Sequence, residues 1–167
     1  QFVESIKRRN RKAHLPIPTP IIDDFTILLD LLHYLHKGVS LNLLVTRRPT
    51  HVFGSDSCKD DDLAGMGGFS VTSGRAWRLR LPASVARDPT VSNNLLEYIA
   101  TIVSIWLDQH HNDIPQEASV LSVTDSSSSV GWLHKASFSS DMPRHEKASR
   151  KLARLAITGN YAHNPQH

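Results

Sequence analysis

Three carboxylates carry the chemistry that this sequence offers most plainly. Asp56 lies in His51-Val-Phe-Gly-Ser-Asp-Ser-Cys58, Glu97 in Val91-Ser-Asn-Asn-Leu-Leu-Glu-Tyr98, and Asp125 in Val120-Leu-Ser-Val-Thr-Asp-Ser126. A divalent cation that must grip a phosphate needs several hard oxygen ligands converging from different elements, and acids at strand ends and at a helix start supply them. The pattern suits metal-assisted phosphodiester chemistry, that of a nuclease. Each acid also has a plainer reading when taken singly. Glu97, Thr101, Ser104 and Asp108 recur at helical spacing as a polar stripe, so Glu97 alone reads as part of a solvated face. Asp125 alone reads as a helix cap before a serine run, and Asp56 as a turn aspartate. Only a common site accounts for the three together.

The elements that must position these acids follow from periodicity. His51 to Ser57 reads as a strand, Gly67 to Thr72 as a second, and Ala76 to Leu81 as a third, where Trp77, Leu79 and Leu81 alternate with Arg78 and Arg80. Ser92 is placed to cap a long helix from Asn93 to about Gln109, with Leu95, Leu96, Ile99, Ile102, Val103 and Trp106 as its apolar stripe. Val120 to Thr124 reads as a buried strand. Ser126 to Ser129 turn the chain into a short helix over Val130 to Lys135, and His145 to Ile157 forms another, with Ala148, Leu152, Leu155 and Ala156 facing inward. The order β-β-β-α-β-α-α predicts an α/β fold: a three-strand antiparallel meander, a crossover helix, a parallel strand and flanking helices. A right-handed crossover sets the first and fourth strands side by side and parallel, so Asp56 and Asp125 share one sheet edge and the first turn of the crossover helix brings Glu97 to it.

The part before residue 50 has a different character. Leu15-Pro-Ile-Pro-Thr-Pro20 reads as an extended linker. Ile22, Phe25, Leu28, Leu29, Leu32 and Leu35 mark one amphipathic helix from Asp23 to Lys37, stopped by Gly38. His33 and His36 lie three apart on it but lack a third ligand nearby, so they read as surface histidines. Residues 1–49 are thus expected to form a connecting segment and residues 50–167 a domain. Apolar content of 40% and charged content of 21% indicate a packed chain. The formal charge is +3, but the basic residues cluster, at Lys7 to Lys12 and at Lys147, Arg150, Lys151 and Arg154, as a polyanionic partner would require. Cys58 is the only cysteine, which excludes an internal disulfide and a multi-cysteine zinc site and fits an intracellular setting, cytoplasmic or nuclear. The longest apolar stretch, Leu95 to Leu107, is too short to span a bilayer. A chain that opens on Gln1 and stops at His167 reads as a piece of something longer.

The motifs taken together resemble type 1 ribonuclease H, and specifically the copy that follows the polymerase in retrotransposon reverse transcriptases. The first motif is similar to Phe53-Gly-Ser-Asp-Ser-Cys58 followed by Gly65-Met-Gly-Gly-Phe69, the second to Ser92-Asn-Asn-Leu-Leu-Glu97, and the third to Thr124-Asp-Ser-Ser-Ser-Ser-Val130. The likeness runs from about Thr50 onward, and the preceding segment resembles the polymerase connection of DIRS-type retroelements. The resemblance implies hydrolysis of the RNA strand of an RNA/DNA hybrid with two Mg²⁺ ions, Mn²⁺ being an alternative, held by Asp56, Glu97 and Asp125 as catalytic and metal ligands. It implies hybrid contacts from Asn93, Asn94 and Ser126, for which helix capping and turn chemistry are equal alternatives. DNA-strand contacts are implied from Trp132, His134, Lys135, Lys147, Arg150, Lys151 and Arg154, although Trp132 also suits a core and the basic stripe also suits a solvated helix face. The implied partners are the hybrid and the upstream polymerase of the same polyprotein, with no membrane.

Two departures from the family pattern stand out. Lys59-Asp-Asp-Asp-Leu-Ala64 is longer than the usual link, and Asp60, Asp61 and Asp62 read as solvated loop acids. The family's fourth acid lies on a helix after the last strand, whereas this chain is expected to lack its last strand and helix, Tyr161 to His167 falling in or just before that strand. Two other functions compete. One is a nucleic-acid-binding connection module with a dead site. The other is a transposase or integrase, whose glutamate comes last on a late helix; here only Glu146 could serve.

Overall fold

The computed structural model describes residues 16–35, 47–135, 138–139 and 141–167. Gly38, His36 and the basic cluster at residues 7–12 lie outside that set. The elements are α1 (Thr19–Leu35), β1 (His51–Lys59), β2 (Ala64–Ser70), β3 (Ala76–Leu81), α2 (Ala83–Ala86), α3 (Asn93–His110), β4 (Ser119–Val123), α4 (Ser127–Leu133), α5 (Pro143–Gly159) and β5 (Ala162–Gln166). They build one five-stranded sheet in the order β3-β2-β1-β4-β5. β1, β2 and β3 are antiparallel neighbours, while β4 runs parallel to both β1 and β5. The fold class expected from the sequence is therefore the one observed.

Among the differences from expectation, three bear on how the sheet is built. β2 starts at Ala64 rather than Gly67, because the Asp60 amide donates to the Leu63 carbonyl at 2.7 Å and closes a tight hairpin on the Lys59–Ala64 pair. The acidic run thus forms the hairpin tip. The last strand, expected to be lacking, is present as β5, paired with β4 from Ser119–Ala162 to Val123–Gln166. Ala162-His-Asn-Pro-Gln166 has no β-branched residue and holds a proline, so it carries no strand signal; as the outer member of the sheet it tolerates the missing amide of Pro165. The short helix α2 has no counterpart among the expected elements. Its Ala86 joins Ala64, Val91 and Leu96 in a small core that seals the meander.

Helix α3 is the element on which the rest is assembled. The Ser92 hydroxyl accepts from the Leu95 amide at 3.1 Å and caps it. Leu95, Leu96, Tyr98, Ile102 and Ile105 are buried, whereas Trp106, expected inward, is half exposed and stacks on His110 with ring centroids 5.6 Å apart. The stripe that reads as a solvated face is buried instead: Glu97, Thr101, Ser104 and Asp108 all point at the sheet. Each of the last three meets a polar partner there. Thr101 Oγ1 lies 2.9 Å from Ser55 Oγ, the Trp77 indole donates to Ser104 Oγ at 3.0 Å, and Asp108 Oδ2 sits 2.8 Å from His51 Nε2. On its other side α3 packs on α4 and α5. Leu152, Leu155 and Ala156 of α5 reach the core formed by Phe53, Ile105, Val120 and Tyr161.

Helix α1 does not bury the stripe that its periodicity marks. Ile22, Phe25, Leu28, Leu29 and Leu32 are exposed, and the helix is seated on α5 by its acids. Asp23 and Asp24 reach Arg150 at 3.5 and 2.9 Å, and Asp30 reaches Arg154 at 3.5 Å.

Candidate metal centre

The parallel ladder between β1 and β4 ends at the pair Gly54–Val123. Asp56 and Asp125 follow these residues by the same step along the chain, one still within β1, the other in the turn after β4. Glu97 lies in the second turn of α3, whose capped start faces that edge. One ligand atom from each of Asp56, Glu97 and Asp125 falls within 4.8 Å of the other two. Asp56 and Asp125 are exposed and Glu97 is 6% exposed, so two open carboxylates stand over one that is set into the fold.

Local hydrogen bonds aim this group. The Ser57 amide donates to Asp56 Oδ1 at 2.6 Å. Ser57 Oγ donates to both the backbone and side-chain oxygens of Asn93, at 3.2 and 3.1 Å, and the Asn93 amide donates to Glu97 Oε1 at 2.8 Å. The bridge from β1 through Asn93 to Glu97 fixes one oxygen and leaves the other, Oε2, buried without a partner. A buried carboxylate oxygen without a donor carries a desolvation cost that a hydrogen bond or a cation must offset. Three carboxylates with an orphaned oxygen fit a hard divalent cation, the kind of ion that takes carboxylate and water oxygens. Ser57 is not among the residues that the sequence singles out; its position next to Asp56 is the only signal it offers.

The other candidates divide into engaged and exposed groups. Asn94 is exposed, and its backbone oxygen accepts from Ser129 Oγ at 3.0 Å. Ser126 is buried as the cap of α4, accepting from the Ser129 amide at 3.2 Å. Trp132 is partly buried with its edge toward His145, centroids 4.4 Å apart, beside Tyr98 and Phe138. Burial and the nearby Lys135 charge hold the His145 pKa below its usual range. Lys135, Lys147 and Lys151 are exposed. Arg150 is enclosed by Asp23, Asp24 and Glu146, and Arg154 faces Asp30. Asp62 pairs with Arg87 at the hairpin tip, and the Asp60 to Asp62 run is not part of the acid group. His163 is turned to Ser122 Oγ at 2.8 Å, and burial, helped by the charge of His134, lowers its pKa to about 4. His167 Nε2 lies 2.9 Å from the Asp125 carbonyl.

No family model and no curated protein matches this chain. Solved structures do match. LC11-RNase H1 in complex with an RNA/DNA hybrid is 16% identical with a TM-score of 0.51, over 70% of this chain and 86% of that one. LC11-RNase H1 isolated from compost by a metagenomic approach is 16% identical with a TM-score of 0.52, over 71% and 85%. The foamy viral protease-reverse transcriptase in complex with an RNA/DNA hybrid is 14% identical with a TM-score of 0.53, over 73% of this chain and 18% of that much longer one. At such identities the likeness concerns the fold, which is ribonuclease H-like.

Proposed function

We propose that the chain is a ribonuclease H domain of a retroelement reverse transcriptase, of the DIRS type that its connecting segment resembles, and that it hydrolyses the RNA strand of RNA/DNA hybrids inside the cell. The observation that carries this reading is the meeting of Asp56, Glu97 and Asp125 within 4.8 Å, with Glu97 Oε2 buried and unpartnered. These three acids would hold two Mg²⁺ ions. When bound, such ions activate the attacking water and stabilise the leaving 3′ oxygen. The chain itself supplies position: Asn93 and Ser57 lock Glu97, and the common step beyond the Gly54–Val123 rung aligns the two aspartates. Asn94, exposed next to Asn93, is the residue we assign to a 2′-hydroxyl contact, the group that distinguishes RNA from DNA. Lys135, Lys147 and Lys151 are the exposed cations of the expected DNA-strand set, and the polymerase of the same polyprotein is the expected partner.

One observation favours a second reading, a binding module with little catalysis: the described residues bring three acids together, while the resemblance implies four. The transposase reading gains nothing from the fold, because Glu146 is bound to Arg150 and lies outside the acid group. The deciding experiment follows a labelled hybrid with Mg²⁺ and, in parallel, Mn²⁺. Cleavage of the RNA strand that Asp56→Asn abolishes supports the nuclease. Tight hybrid binding without cleavage in either metal selects the module. Absence of hybrid binding overturns both.

A further inference from the structure

The face of the sheet turned away from the helices carries a feature that the acid group does not use. Pairing in the meander places Asp56 opposite Gly67 and Gly67 opposite Arg78; on the next rung of the same face stand Cys58, Gly65 and Arg80. Glycine therefore occupies the middle strand at both rungs. A Cβ at Gly67 would lie 3.0 Å from the Trp77 carbonyl, and one at Gly65 would lie 3.3 Å from that of Leu79, so the floor sits flush against β3. The result is a trough of about 640 Å³ that runs from Asp56 and Ser57 across the glycines to Arg78 and Arg80.

The charges make the trough selective. Arg75, Arg87, Arg144, Arg150 and Arg154 each face a carboxylate. Arg78 and Arg80 are exposed and have no carboxylate partner among the described residues. They do not neutralise Asp56 either, since a whole strand separates them from it. With strands about 4.8 Å apart, Arg78 starts roughly 10 Å from Asp56, and two residues along a strand set the arginines about 6.7 Å apart. A polyanion with one phosphate at the acids thus has its neighbouring phosphates within reach of both guanidinium groups, which bind phosphate oxygens in a planar fork.

We propose that Arg78 and Arg80 form a phosphate-binding trough that grips the nucleic-acid backbone next to the acid centre, in place of the α5 arginines that α1 already occupies. The proposal rests on the nuclease reading for its substrate, a phosphodiester strand. Its test is hybrid affinity against salt for the wild type, for Arg78→Gln/Arg80→Gln, and for Arg150→Gln. Every phosphate that a variant no longer neutralises takes about 0.7 to 0.9 off the slope of log affinity on log salt. The double variant should lose about 1.5 units of slope and about tenfold in affinity at low salt, while Arg150→Gln keeps the wild-type slope. Circular dichroism and melting confirm that each variant folds, and the single variants Arg78→Gln and Arg80→Gln replace the double should it not. A slope unchanged by either arginine overturns the trough and leaves the nuclease reading standing if Asp56→Asn still abolishes cleavage. A wild type that does not bind hybrid at any salt overturns both.

Discussion

Asp56 and Asp125 are each displaced by the same step from the last parallel rung, Gly54–Val123, so the register of β1 on β4 sets their separation. Asp56 Oδ1 accepts from the amide of its neighbour Ser57, and the Asp125 carbonyl lies against His167 Nε2. Their meeting is a property of the ladder beneath them, and a one-residue slip would send one carboxylate to the opposite face.

Removing the carboxylate charge of Glu97 tests the centre directly. Mg²⁺ binding to the folded state at a hundredfold excess over its dissociation constant adds about 2.7 kcal/mol. For a chain of this size the melting temperature should rise by several degrees with Mg²⁺ in the wild type and by much less in Glu97→Gln. Asn93→Ala should give an intermediate response, because it frees Glu97 without discharging it. An identical Mg²⁺ shift in all three proteins would place the ion elsewhere.

The polar spine under the sheet should matter to folding and not to metal. Asp108→Ala leaves the fully buried His51 ring without its 2.8 Å partner. Leaving a buried polar group without its hydrogen-bond partner costs about 1 to 3 kcal/mol, which urea denaturation reads as a lower midpoint. Gly68→Ala should act at the next station, since its Cβ would lie 2.6 Å from Ser104 Oγ and 2.8 Å from the Trp77 indole nitrogen. Overpacking of that kind costs about 1 to 3 kcal/mol. The Mg²⁺ shift, measured on whatever remains folded, should survive both changes.

His163 gives the edge strand a pH dependence. Its folded pKa, lowered by burial from 6.5 to about 4, favours the neutral ring in the native state. The associated stability is fully present above pH 6.5 and is lost as the pH falls toward 4, because the unfolded chain takes up the proton first. The loss should be on the order of 2 kcal/mol, allowing for partial solvent screening of the ring. Chemical denaturation at about pH 7 and about pH 4.5, on either side of the unfolded value, should show a smaller difference in His163→Gln than in the wild type. Equal differences would mean that the ring titrates as an exposed histidine.

Much of the fold is legible in the sequence, because its signals are local. The alternation of Trp77, Leu79 and Leu81 with the arginines gives β3 its bounds, Ser92 marks the start of α3, and the order of strands and helix fixes which edge gathers Asp56, Glu97 and Asp125. The rest depends on what lies opposite. A stripe of Glu97, Thr101, Ser104 and Asp108 looks the same whether it faces water or the polar groups of a strand, and only the packed sheet supplies Ser55, Trp77 and His51 as partners. The apolar stripe of α1 marks an amphipathic helix, yet the acids of the helix find Arg150 and Arg154 and leave Ile22, Phe25, Leu28, Leu29 and Leu32 outward. β5 has no pattern of its own and becomes a strand through its ladder with β4. Local periodicity reports the conformation a segment prefers. Burial and pairing are set by surfaces distant in sequence, and those meet only in the folded chain.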